Sequence, residues 1–248
     1  MRLRKLFLLA LLPACNPQIY SPPANFVHSG PAETVEQGKH ELNVGGAVAG
    51  ASDLDFGVAH AGYRYGVVDG TEVSVAGQLL VPVPPDSNAQ LTEPFGGAAV
   101  GFKQELGTEW VAASGSVGAG ASPFGTYLAS DLGLHVSYPN AYVVPFLTGR
   151  AGLSTPLAKK TVTLYTDGDD TMTSPEFHQA DTTFLFSVTL GGRVLMESMT
   201  GWPLYIEPSA MLGKLYSSES DLAEPGETGI LARNDGFFAF SLGLGTTF

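Results

Sequence analysis

Two clusters in the sequence carry side chains suited to chemistry. Asp131, His135 and Ser137 form the first; Asp167-Gly168-Asp169-Asp170, with Glu176 and His178 beyond it, forms the second. Hydrolysis needs a base within hydrogen-bond reach of a nucleophile, and a third group that orients the base. On a strand, Asp131 and His135 would share a face but stand ~13 Å apart along it, too far to bond each other. No nucleophile elbow and no histidine–glutamate zinc motif is present. Asp167, Asp169 and Asp170 are hard oxygen donors suited to calcium or magnesium, but their spacing is not that of an EF-hand loop. The better reading of this run is a solvated loop tip, and no cofactor is implied.

Isolated charges within otherwise apolar stretches make a different pattern. The chain has 31 Gly, 17 Pro and only 15% charged residues, which argues against a helical protein. From Lys39 onward about ten alternating segments can be drawn (8–12 are compatible), at 39–50, 54–67, 71–83, 95–105, 109–121, 125–138, 141–151, 180–196, 203–216 and 235–248. Each is near the ~9–11 residues with which a tilted strand crosses a bilayer. The sequence therefore predicts an all-β fold, a transmembrane antiparallel up-and-down β-barrel. Its connections differ in length by side: those near Asp69-Gly70, Gly107, Pro139-Asn140 and Thr200-Gly201 are short, whereas the long ones, 84–94, 152–179 and 217–234, all fall on the other side. Short turns on the periplasmic side and long loops outside are the asymmetry of such barrels.

Cost decides which way side chains point. An Arg or Lys facing lipid near the midplane costs ~2–4 kcal/mol, so charged residues should face inward. That places Val73, Val75, Leu79, Leu128, Leu132, Leu134, Phe186, Val188 and Leu190 outside. It gathers Arg64, Glu72, Lys103, Glu105, Asp131, His135, Arg193 and Glu207 in a lumen charge network, paired because buried charges survive only with partners. Arg150, in phase with Tyr142, Val144 and Phe146, is expected at the rim. Inward Gly45, Gly62, Gly101, Gly133, Gly191 and Gly243 leave space, so a narrow water path is expected to remain.

The ends of the chain add a resemblance. Phe238, Phe240, Leu242, Leu244, Thr246 and Phe248 alternate with Ala239, Ser241, Gly243, Gly245 and Thr247, giving one greasy face and one small, polar face. This segment resembles the last strand of bacterial outer-membrane β-barrels, which close on a C-terminal Phe used in assembly; Phe248 would be that signal. At the other end, Arg2, Arg4 and Lys5 precede the apolar run Leu6 to Leu12, the layout of an export signal. Leu12-Pro13-Ala14-Cys15 resembles the lipobox of bacterial lipoproteins, with Pro13 departing from the usual small residue. That resemblance implies lipidation of Cys15, the sole cysteine. The expected organisation is a signal over 1–14, a lipid-anchored periplasmic tether over 15–37, extended and mostly unstructured, and a barrel over 38–248.

Net charge is −12, and loss of the leader makes the balance more acidic still. With no basic stripe to neutralise phosphates, nucleic acid is excluded as a partner. Trp110, Tyr138, Tyr142, Trp202 and Phe248 gather at one level of the strands, as aromatics do at a membrane interface. The resemblance implies the bacterial outer membrane, with its lipid and lipopolysaccharide, the barrel-assembly machinery, and envelope proteins met through loops or tether. The leading expectation is a non-enzymatic membrane scaffold or surface component. A narrow channel for small solutes comes second, and a rim-sited hydrolase using His178 or His135 third.

Overall fold

The computed structural model describes residues 20–24, 30–51, 54–83, 93–160, 162–165, 175–178, 180–217 and 233–248. In chain order the strands are β1 (His40–Ala51), β2 (Leu54–Val68), β3 (Thr71–Val83), β4 (Phe95–Thr108), β5 (Val111–Ser122), β6 (Gly125–Ser137), β7 (Val143–Lys159), β8 (Val162–Tyr165), β9 (Pro175–His178), β10 (Thr183–Leu195), β11 (Leu204–Ser217) and β12 (Arg233–Thr247). β8 and β9 pair only with each other, as a hairpin inside the segment expected to be a plain loop. The other ten form a closed antiparallel barrel in which each strand neighbours the next along the chain, and β1 pairs with β12 to complete the ring. Closure gives every strand two neighbours, so no backbone edge is left for hydrocarbon to meet.

One end of the barrel has tight connections. β2 passes to β3 through Asp69-Gly70, and β4 to β5 through Glu109-Trp110. Gly70 and Gly107 sit at φ 74° and 80°, left-handed positions that Gly alone occupies without strain, beside register shifts at Gly66/Val68 and Glu105/Thr108. A single turn of helix, α1 (Glu197–Thr200), joins β10 to β11 and ends on left-handed Gly201. The strand ends that flank the long connections 84–94, 160–182 and 218–232 all lie at the opposite end. Below, these are the turn end and the loop end.

Alternation within the strands sends apolar side chains outward. Leu132, Leu190 and Leu212 are 68%, 64% and 69% exposed, and Val75, Phe102, Val117, Val188, Phe240 and Leu242 continue the same belt. An apolar exterior around the whole ring, with guanidinium groups inside, is the reverse of a water-soluble barrel. Replacing Leu132 by Arg should cost ~2–4 kcal/mol of folding stability, the midplane price on a barrel's lipid face. Urea titration in lipid vesicles, following the mobility of the unboiled band, would measure it.

The interior has two layers, which is more than the sequence anticipates. Toward the loop end, Val58, Leu80, Leu185, Met211, Leu215 and Phe237 form a buried apolar cluster against which Tyr20, Phe56 and Phe95 pack. Toward the turn end the lumen is charged. Three of the inward glycines leave room that large neighbours fill. His60 lies over Gly45, Asn43 over Gly62, and the Phe146 ring over Gly191.

Candidate functional site

The charged layer is built by strand register. β1 and β2 place Glu41 opposite Arg64, and β3 and β4 place Glu72 opposite Lys103. Arg64 donates from Nε to Glu41 at 2.9 Å and from Nη2 to the same carboxylate, while its Nη1 reaches Glu72 at 3.0 Å. Lys103 Nζ lies 3.3 Å from Glu72. From β10, Arg193 donates to Glu41 at 3.1 Å and to Glu207 at 2.9 Å. The Tyr205 hydroxyl also donates to Glu41, and the Tyr205 ring carries the Arg193 guanidinium 3.9 Å from its centroid. Glu41, Glu72 and Glu207 thus face Arg64, Lys103 and Arg193, and each carboxylate meets at least one cation. Burial of so many charges is tolerable only with such pairing.

The remaining candidates fall outside this chain of ion pairs. Asp131 bonds Arg150 at 2.8 Å as a separate buried pair. Arg150 is therefore a lumen residue and not a rim residue; Val144, Phe146 and Thr148, in the same phase, are buried with it, while Val143 and Leu147 face out. His135 does not meet Asp131. Its Nε2 is 2.8 Å from Ser114 Oγ, and its Nδ1 is 3.1 Å from Thr148 Oγ1. Glu105 is half-buried and makes no contact with the network's cations; it accepts instead from Thr34, through the backbone N–H at 2.9 Å and the hydroxyl at 2.7 Å.

That last contact introduces the lumen's occupant. Residues 30–37, read from sequence as part of a tether outside the barrel, run inside it. Val35 N–H donates to Glu72 at 2.8 Å, Ala32 N–H to Ser137 at 3.1 Å, and Lys103 donates to the carbonyls of Pro31 and Glu33 at 3.0 and 2.7 Å. His135 lies 3.3 Å from the Gly30 carbonyl. Nearer the loops, Gln78 donates to the Pro23 carbonyl at 2.8 Å, Ser154 donates to the Pro22 carbonyl at 2.6 Å, and Ser21 N–H donates to Thr183 at 2.8 Å. Ala32 and Val35 are fully enclosed.

Physical chemistry explains this arrangement. A chain buried in a lumen must find partners for its backbone groups, and here polar side chains of the wall supply them. Pro22, Pro23 and Pro31 have no N–H to satisfy and cannot extend a sheet ladder, which suits a segment held by side chains. Gly66 lets the segment approach the wall: a Cβ there would overlap the carbonyl oxygens of Val35 and Glu36. The chain then reverses at Gly38, φ 78°, and enters β1. Beside the charged layer a partly open space of about 80 Å³ remains, lined by Arg64, Glu72, Lys103, Asp131, His135 and Arg150 among others. It has room for ordered water among these charged groups.

Phe248 is exposed at the turn end; its ring stacks on His40 at 5.5 Å, and the two residues exchange backbone hydrogen bonds. Cys15 and the acidic run Asp167, Asp169 and Asp170 lie outside the described residues. His178 ends β9. Among the described residues no group of three or more His, Cys, Asp or Glu stands close enough to hold a metal ion.

Sequence reasoning missed Glu41, on which Arg64, Arg193 and Tyr205 converge. Its signal was available: Glu41, Asn43 and Gly45 alternate with Leu42, Val44 and Gly46, so the cost argument turns it inward. Ser114 and Tyr205 were missed for want of any charge to orient them.

Neither a protein-family model nor a curated protein matches the sequence. Among solved structures, the chain is similar to the β-domain of the Bordetella autotransporter BrkA, with 13% identity, 86% of this chain and 100% of that one covered, and a TM-score of 0.48. It is also similar to Neisserial surface protein A, at 13% identity, 85% and 96% coverage and a TM-score of 0.36. For the outer-membrane protease OmpT of Escherichia coli the values are 11%, 85%, 96% and 0.35.

Proposed function

We propose that this is a bacterial outer-membrane barrel that works without catalysis, as a membrane-embedded scaffold closed to solutes and presenting its long loops to envelope partners. The observation that carries this reading is the lumen segment. Residues 20–24 and 30–37 are bonded to the wall from the loop end to the turn end, within a ring whose exterior is apolar. Its surroundings are membrane lipid at the belt, lipopolysaccharide beside the loops, and the assembly machinery that would read Phe248. A narrow channel would need a continuous water path, which the filled charged layer and the apolar layer above it oppose. Reconstituted in planar bilayers, the full chain should show no conductance above bare lipid; steady unit openings would replace the scaffold reading with the channel.

A hydrolytic reading has one observation in its favour, the contact between Ser114 and His135. Three features stand against it. His135 is buried beneath the lumen segment, its second nitrogen meets a hydroxyl and a carbonyl, and Asp131 is taken by Arg150. Ser114→Ala and His135→Ala should leave ester and peptide turnover at the level of the parent chain in a detergent-solubilised assay.

A further inference from the structure

The lumen segment has a direction. Gln37 bridges Gly66, close to the Asp69-Gly70 turn, and Gly38 bonds the same residue. Going back along the chain, Val35 meets Glu72, Ala32 meets Ser137, and Gly30 meets His135 and Thr148. Pro23 then meets Gln78, in the middle of β3, and Ser21 meets Thr183 and Ser154. Tyr20 bridges Asp181, just before the first residue of β10, and packs on the apolar layer. Thr183 pairs with Ser217, the last residue of β11 before the loop 218–232. Residues 20–24 and 30–37 therefore lie along the length of the lumen, with residue 37 at the turn end and residue 20 at the loop end.

We infer that the chain before Tyr20 leaves the barrel on the loop side, so that the barrel holds this segment as a strap through the membrane and displays what precedes it on the outer face of the cell. This rests on the proposed outer-membrane reading, which sets the long loops outside. A periplasmic tether would have to start from the other end. The path back is closed by length: the five residues from Cys15 to Tyr20 reach at most ~17 Å, against ~30 Å of hydrocarbon. An acyl chain on Cys15, the modification expected from the sequence, would accordingly enter the leaflet on the loop side.

Three full-length variants test this in cells, each checked for the folded band on unboiled gels: Gln18→Cys, Ser87→Cys in the loop 84–94, and Glu109→Cys in the β4–β5 turn. The parent chain, whose one thiol is Cys15, sets the background. With a membrane-impermeant maleimide, Gln18→Cys should be labelled in intact cells as fully as Ser87→Cys, and Glu109→Cys only after the outer membrane is permeabilised. Labelling of residue 18 only after permeabilisation, or only after denaturation, with the two reference positions behaving as stated, overturns the inference and leaves the barrel reading standing. Labelling of Glu109→Cys but not Ser87→Cys in intact cells overturns the assumed sidedness, and the inference with it.

Discussion

Exchanging Glu41 for Gln should lower folding stability by ~3–5 kcal/mol, the usual cost of breaking a buried ion pair from one side. Glu41 receives Arg64, Arg193 and the Tyr205 hydroxyl, and it is 2% exposed. The amide keeps the size of the carboxylate but not its charge, so two enclosed guanidinium groups lose a shared counter-charge. Arg64 retains Glu72 and Arg193 retains Glu207, which keeps the loss finite. Glu105→Gln provides the contrast: half-buried, with a carboxylate bonded only to Thr34 among the described contacts, it should cost about 1 kcal/mol, the worth of an ordinary hydrogen bond. Urea midpoints of the unboiled band would give both values. Equal midpoints for the two variants would mean that the charged layer does not stabilise the barrel.

Gly66→Val should unseat the lumen segment while leaving the ring closed. The added side chain would collide with the carbonyls of Val35 and Glu36, which are backbone and cannot swing aside. With the segment displaced, Glu72 loses the Val35 N–H, Glu105 loses both Thr34 donors, and Lys103 loses two carbonyl acceptors. Water replaces them. The variant should pass current in planar bilayers where the parent passes none, and proteases should cut it between residues 30 and 37. A silent variant with an uncut segment would show that the contact at Gly66 does not hold the segment in place.

The ring itself was legible because its rules are local. Alternation over 71–83 turns Val73, Val75, Leu79 and Val81 outward, and the charge of Arg64 or Arg193 forbids the other choice. Even the hidden Glu41 follows from this. Sequence patterning could not show that Leu80, Leu185, Met211 and Phe237 meet as an apolar layer inside, because they come from different strands and only closure brings them together. The position of residues 20–24 and 30–37 was less accessible still. Pro22, Pro23 and Pro31 signal an extended chain, but extension is equally suited to a linker in water and to a strap held by Lys103, Gln78 and Ser154. Which one occurs is decided by side-chain donors and acceptors on five different strands, β3, β4, β6, β7 and β10. His135 teaches the same lesson at smaller scale: its neighbour four residues away on the same strand is out of reach, and its partners, Ser114 and Thr148, come from the strands on either side.

The joint between β1 and β12 has a consequence for assembly. It brings the first and last strands of the cylinder together, so the wall stays open until the final strand docks. Pulling a hydrogen-bonded stretch of chain endwise into a finished cylinder would mean stripping its water and threading it past Phe146, His60 and Tyr205. Capture would be the easier route: the segment would lie against the concave side of a curling sheet until the last strand sealed it in. An insertase that zips this wall shut would then be casting it around a core already in place.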